Sequence, residues 1–227
     1  LITTAVRHLH SDIAALAASL TNKEIVIVCH KGLKLSHGSA AYFRAMEIGA
    51  KILTGGNLAW TAAGLPRVPA AQVPGSLWVT RHRPKIDRIA CPWLIRRFVD
   101  RDATFLFVPP ATVTDVAERF EATAFDIENC AWTHDGENCT FDVMIKRFGL
   151  SHPALDTLAT VVRAADTNKH ALAPQAAGLL AISVGLSRMF RDDTEQLEAG
   201  MLIYDALYRW ARDGQDEGHD WPAGRKE

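Results

Sequence analysis

The sequence predicts an α/β protein in two parts. A partial parallel-sheet domain spans residues 1–70, and a mixed, helix-rich α+β domain spans 77–213. Three observations carry this reading. The apolar run Ile25-Val26-Ile27-Val28 leads through Cys29 and a glycine-bearing polar loop into a helical segment at 37–47, the strand–loop–helix order of a parallel sheet. Residues 67–76 are small, proline-containing and free of periodicity, so they read as a linker. Beyond them, apolar residues recur at helical spacing.

The elements follow in order. Val6, Leu9, Ile13, Leu16 and Leu20 fall on one helical face. Strands are expected at 25–28 and, shorter, at 51–53. In the second part strands are expected at 77–80 and 105–108, and helices at 115–120, 156–165, 174–190 and 194–212. In the last helix Leu197, Met201, Tyr204, Leu207, Tyr208 and Ala211 form one apolar face, with Asp193 as the N-cap and both tyrosines in the core. Residues 214–227 are a polar tail expected to fray.

With 48% hydrophobic and 22% charged residues, composition favours a folded globular chain over disorder. No apolar run approaches the ~20 residues of a membrane span. The four cysteines, Cys29, Cys91, Cys130 and Cys139, are too few for a disulfide framework, and free thiols point to the cytoplasm. The net charge of −1 is unevenly spread, because residues 1–70 hold seven Lys/Arg against three Asp/Glu. That basic excess suits a small anionic or thiol substrate and is too mild to point to nucleic acid. A homodimer is the candidate assembly.

Cys29 is the candidate catalytic residue. A thiol at the end of a buried strand, facing a helix N-terminus, meets backbone N–H groups and a dipole that favour an anion. Such a setting lowers the thiol pKa and can cradle a persulfide or an oxyanion. His30, Lys31, Gly32, Leu33, Lys34 and Ser36 are the candidate anion-binding residues. The bland reading is a buried structural cysteine at a strand end.

About twenty-five residues on, Gly55-Gly56-Asn57-Leu58-Ala59-Trp60-Thr61-Ala62-Ala63-Gly64-Leu65-Pro66 resembles the ending of a rhodanese domain. The resemblance covers residues 1 to about 70 and implies a sulfurtransferase fold, with sulfane sulfur carried on Cys29 and no cofactor. Two features depart from the family pattern. Lys34 stands at the place of the usual loop arginine, and Leu35 is inserted before Ser36, so the loop from Cys29 to Leu35 has seven residues. The longer loop resembles rhodanese-fold phosphatases and arsenate reductases, but Leu35 occupies the position of their arginine, and a lysine lacks the bidentate fork. Only two strands fit before Pro66, and the sequence begins at leucine, so the first strands of the domain are expected to be missing.

Residues 81–98, together with Phe105-Leu106-Phe107-Val108, Ala124-Phe125-Asp126-Ile127 and Val161-Val162-Arg163-Ala164-Ala165-Asp166, resemble the C-terminal domain of chromate-resistance proteins of the ChrB type. The segments around Ala177–Ser183 and Gly185–Phe190 extend the resemblance, which implies a part in chromate resistance. The alternative to sulfur transfer is a chromate- or oxyanion-binding or sensing protein without turnover.

Three features of this half could carry chemistry. Cys91 precedes Pro92 and is a reactive N-cap thiol if a helix starts there, but an inert core residue if the helix starts near Asp87, which is the favoured reading. Between 126 and 152 lie Asp126, Glu128, Cys130, His134, Asp135, Glu137, Cys139, Asp142 and His152. Within that stretch His134 and Cys139, with Asp126 and Asp166, are candidate ligands for Zn or Fe, set against a plain hydrophilic hairpin. Finally, Arg81, His82, Arg83, Lys85, Arg88, Arg96, Arg97 and Arg101 form an anion pocket, a nucleic-acid patch or a solvated face paired with Asp87, Asp100 and Asp102, the last being favoured.

Overall fold

The computed structural model of the chain describes residues 1–20 and 24–218. It is a mixed α/β structure with two small parallel sheets, and it divides into two compact units, Leu1–Arg67 and a second beginning at Val68.

In the first unit, β1 (Ile25–Ile27) and β2 (Ala50–Ile52) pair in parallel, Ile25 opposite Ala50 and Ile27 opposite Ile52. A parallel pair needs a crossover, and α2 (Lys34–Ala45) supplies it. Its Ala40 and Phe43 are buried with Ala50 and with Ala17 of α1 (Ile13–Ser19), and Ile13, Leu16, Leu20, Ile25 and Ile52 pack around them. α2 starts three residues earlier than the sequence suggests, because the loop after Cys29 tightens at Gly32 and turns straight into the helix. α1 is shorter than expected. Val6 and Leu9 lie outside it and are 69% and 67% exposed, since the small core receives Ile13, Leu16, Ala17 and Leu20 and nothing before them. α3 (Gly56–Ala62), unforeseen in the sequence, is followed by a turn that the Trp60 indole closes by donating to the Pro66 carbonyl at 2.8 Å.

The second unit is organised on β3 (Leu77–Arg81), flanked in parallel by β4 (Thr104–Val108) and by the two-residue β5 (Thr123–Ala124). α5 (Val113–Phe120) joins β4 to β5. α4 (Asp87–Leu94) follows β3 and carries Pro92 inside it. A proline removes one helical hydrogen bond, and the helix widens just beyond it into a π turn, Ile95–Val99. α6 (Thr140–Phe148), α7 (Pro153–Asp166) and α9 (Asp193–Arg209) pack against α4, and α8 (Gln175–Met189) packs against α7 and α9.

Trp93 lies at the centre of this packing, 1% exposed, with the rings of Phe98, Phe141, Tyr204 and Tyr208 all within 6.3 Å of it between centroids. Its indole N–H donates to Asp205 at 2.8 Å. A second aromatic group joins Trp78, Phe125, Trp132 and Phe148. Tyr204 is buried, as expected, and Tyr208 packs half-buried against Trp93 and Phe98.

Several boundaries differ from the sequence reading. The expected linker belongs in part to the second unit, since Val68 is buried in its core and Ala70–Gln72 forms a 3₁₀ turn. The N-cap of α9 is Asp192, which accepts from the amides of Thr194 and Glu195, while Asp193 accepts from the Arg83 amide. α9 continues as a π turn, Trp210–Gly214, into the expected tail, of which residues 219–227 lie outside the described residues.

Candidate functional site

The first unit places Cys29 two residues after β1, in the loop that leads into α2, although β1 is not the buried strand expected, since its Val26 is 60% exposed. The loop is stitched to α3, whose Asn57 and Leu58 amides donate to the carbonyls of Cys29 and His30 at 3.0 and 3.1 Å. Gly32 and Gly56 have φ of 66° and 58°, and they approach each other so closely that a Cβ on Gly32 would stand 2.8 Å from the Gly56 nitrogen. Only glycine is at ease there.

This fold turns the amides of Lys31, Leu33 and Ser36 and the Ser36 hydroxyl toward the Cys29 sulfur. Partial burial opposes the thiolate, but these donors outweigh it and bring the thiol down to about 7. The Ser36 hydroxyl is fully buried and has no well-formed hydrogen bond to another protein group, which leaves it available to the sulfur or to an atom bound on it. Of the other loop residues, Gly32 is buried, while the side chains of His30, Lys31, Leu33 and Lys34 are exposed at the rim. Lys31 therefore acts on the sulfur through its backbone. The alkylation rate of Cys29 by iodoacetamide should rise with pH through a midpoint near 7, instead of the ~8.5 of a free cysteine. A midpoint at the free-thiol value, read by mass mapping, would count against the cradle.

The second unit gathers a different set. Asp87 opens α4 just beyond β3, and Asp126 follows β5, so both stand outside the C-terminal ends of parallel strands, where α/β sheets commonly bind ligands. Asp166 is the last residue of α7, and His134 lies in the loop before α6. His134 Nε2 lies 3.3 Å from Asp166, 3.4 Å from Asp87 and 3.5 Å from Asp126. Asp126 also meets Arg81 at 3.0 Å and Arg88 at 3.3 Å, and accepts from the Thr140 hydroxyl at 2.9 Å. The Thr140 amide donates to Asp87 at 2.6 Å.

Backbone conformation here is unusual. Ile86, at φ 42°, and Asp126, at φ 53°, both have left-handed φ, which is costly for a β-branched residue such as Ile86. Ile86 is held there by its amide's bond to Ser183 and by the Tyr204 hydroxyl, which donates to its carbonyl at 2.9 Å.

Electrostatics follow from this crowding. Burial pushes the Asp87 carboxyl up to about 6, reinforced by Asp166 and Asp126 and opposed by His134. Asp126 is buried too, but His134, Thr140, Arg81 and Arg88 more than compensate and hold it below the usual carboxylate range. The carboxylates of Asp126, Asp166 and Asp87 crowded around His134 push its imidazole up to about 12.

Of the residues singled out in the sequence, the fold brings together His134, Asp126 and Asp166, and it adds Asp87. Cys139 is placed differently. It is fully buried and caps α6, its amide held by Asp142 at 3.0 Å, and burial drives its thiol well up. His152 caps α7, with Nδ1 accepting from the Ala154 amide. Cys91 is fully buried within α4, its thiol raised by burial, which matches the inert reading. The basic residues are largely consumed by structural bonds. Arg83 reaches the carbonyls of Ser187 and Phe190, Arg96 pairs with Glu198, and Arg97 makes a two-pronged bond to Asp205. They form a paired face, although most of its acidic partners are not those expected.

The fold and this cluster define a small α/β domain whose parallel strands end in a carboxylate–histidine group. A family model described as "ChrB, C-terminal domain" matches residues 78–211. The chain belongs to the ChrB C-terminal domain family. It is 32% identical over 159 residues to Protein ChrB of Cupriavidus metallidurans (strain CH34), an alignment covering 69% of this chain. The chain spans about half of that relative, 47% of whose length is aligned. No solved structure matches it. Asp87, Asp126, His134 and Asp166 all lie within the family match, and Cys29 lies before it. Among the described residues no helix is long and apolar enough to cross a membrane.

Proposed function

We propose that the protein acts in chromate resistance, a role its ChrB homology supports, and that its first unit transfers sulfur through a Cys29 persulfide in the manner of a rhodanese. The observation that carries the sulfur-transfer reading is the loop itself, which holds Cys29 before α2, is pinned to α3 through the Asn57 and Leu58 amides and the close approach of Gly32 to Gly56, and keeps the buried Ser36 hydroxyl without a partner.

The step balances without an added oxidant. The Cys29 thiolate attacks the outer sulfur of thiosulfate, the S–S bond of thiosulfate breaks, and sulfite leaves with the electron pair. The Cys29 persulfide that remains is an anion one sulfur further out, where the amides and the unpaired Ser36 hydroxyl can hold it. An acceptor such as cyanide then takes the terminal sulfur and regenerates the thiolate. Lys34, at the first position of α2, adds a point charge near the entering anion.

Thiosulfate:cyanide sulfurtransferase activity of the chain, with Cys29→Ser beside it, tests this. Turnover that vanishes in the variant is expected. Turnover that survives the substitution, or none in either protein, contradicts it.

A further inference from the structure

We propose that Asp87, Asp166 and His134 form a binding site for a divalent transition-metal ion, with Asp126 as a neighbouring orienting carboxylate. One donor atom from each of the three lies within 4.8 Å of the others. The contacts of 3.3–3.5 Å from His134 Nε2 to three carboxylates are too long for good N–H···O hydrogen bonds, and a single N–H cannot serve all three. The two to the proposed ligands Asp166 and Asp87, at 3.3 and 3.4 Å, match the separation of about 3.3–3.4 Å between ligand atoms around a tetrahedral ion with bonds of ~2.0–2.1 Å.

The cluster also holds an orphan. Asp87 is 1% exposed, and its Oδ1 has no hydrogen-bond partner, while Oδ2 is fixed by the Thr140 amide. A buried carboxylate oxygen without a partner is costly unless it is paired or bound to a metal.

Charge selects a dication. Asp126 is already matched by Arg81, Arg88 and the Thr140 hydroxyl, which leaves it to steer its neighbours. Asp87 and Asp166 carry the two remaining negative charges, and a neutral imidazole, its proton released to solvent, completes a set that a dication neutralises. One nitrogen and two carboxylate oxygens suit zinc, iron(II) or manganese over the all-oxygen calcium and magnesium sites. Access is open as well. The His134 side chain is 41% exposed and that of Asp166 20%, so the cluster is reached from solvent on the side of these two ligands. Three protein ligands, two of them reached by solvent, leave a coordination position for water or a small anion.

The test is a cobalt(II) titration of the chelator-treated full chain, followed by visible absorption. One equivalent should bind and give d–d bands without a thiolate charge-transfer band. His134→Ala and Asp166→Asn, which alter side chains that reach solvent, should each weaken that binding at least tenfold while circular dichroism shows the fold retained. No saturable binding overturns the proposal. So does binding dominated by a thiolate band, or binding unchanged in both variants.

Discussion

Gly56→Ala is expected to remove sulfur transfer while leaving Cys29 in place. At φ 58° a side chain is strained, and the new Cβ would lie inside contact distance of the Cys29 carbonyl oxygen and the Gly32 nitrogen. Both are backbone atoms, so neither can swing away. The conformational cost of about 1–2 kcal/mol and an overpacking cost of about 1–3 kcal/mol must be relieved by parting the loop from α3. That movement breaks the bonds from the Asn57 and Leu58 amides and turns the loop donors off the sulfur. Activity should fall to the level of Cys29→Ser, and the Cys29 alkylation midpoint should move up toward that of a free thiol. Wild-type activity and midpoint would show that the cradle does not depend on this close approach.

The second large effect concerns the second unit. Trp93→Ala should destabilise it by about 3–5 kcal/mol, the usual cost of deleting a large buried aromatic side chain. The substitution empties the space between Phe98, Phe141, Tyr204 and Tyr208 and leaves Asp205 without its indole donor. Asp205 keeps its bonds to Arg97, so most of the loss is packing. Denaturant unfolding followed by far-ultraviolet circular dichroism measures it. A change below 1 kcal/mol would mean that α4 and α9 are not packed through this ring.

The strand–Cys29–loop–helix order was legible because its parts are local. Strand, thiol, glycine and helix follow one another within a dozen residues, so pattern alone places the sulfur at a helix start. The second site is assembled from afar. Asp87 comes from the turn after β3 and Asp166 from the end of α7, nearly eighty positions apart in sequence, and no spacing rule joins them. Asp87 also sits among arginines, where it reads as a salt-bridge partner.

Cys139 misled for the opposite reason. Its nearness to His134 in sequence suggested a ligand pair, but a helix begins at Thr140 and turns the thiol inward. The signal for that helix was present. Phe141, Met144, Ile145 and Phe148 recur at helical spacing and are all buried, although the surrounding polar residues suggested a hairpin. The early periodicity of Val6 and Leu9 failed because pattern cannot tell how much core exists to receive a helical face.

The most direct test of the proposal that Cys29 carries sulfur is the intact mass of the chain after thiosulfate treatment, with the site mapped by peptide fragmentation. One added sulfur atom on Cys29, absent in Cys29→Ser and removed by cyanide, is the predicted result. An unchanged mass, or sulfur found on Cys130 while Cys29 stays a free thiol, would contradict the account.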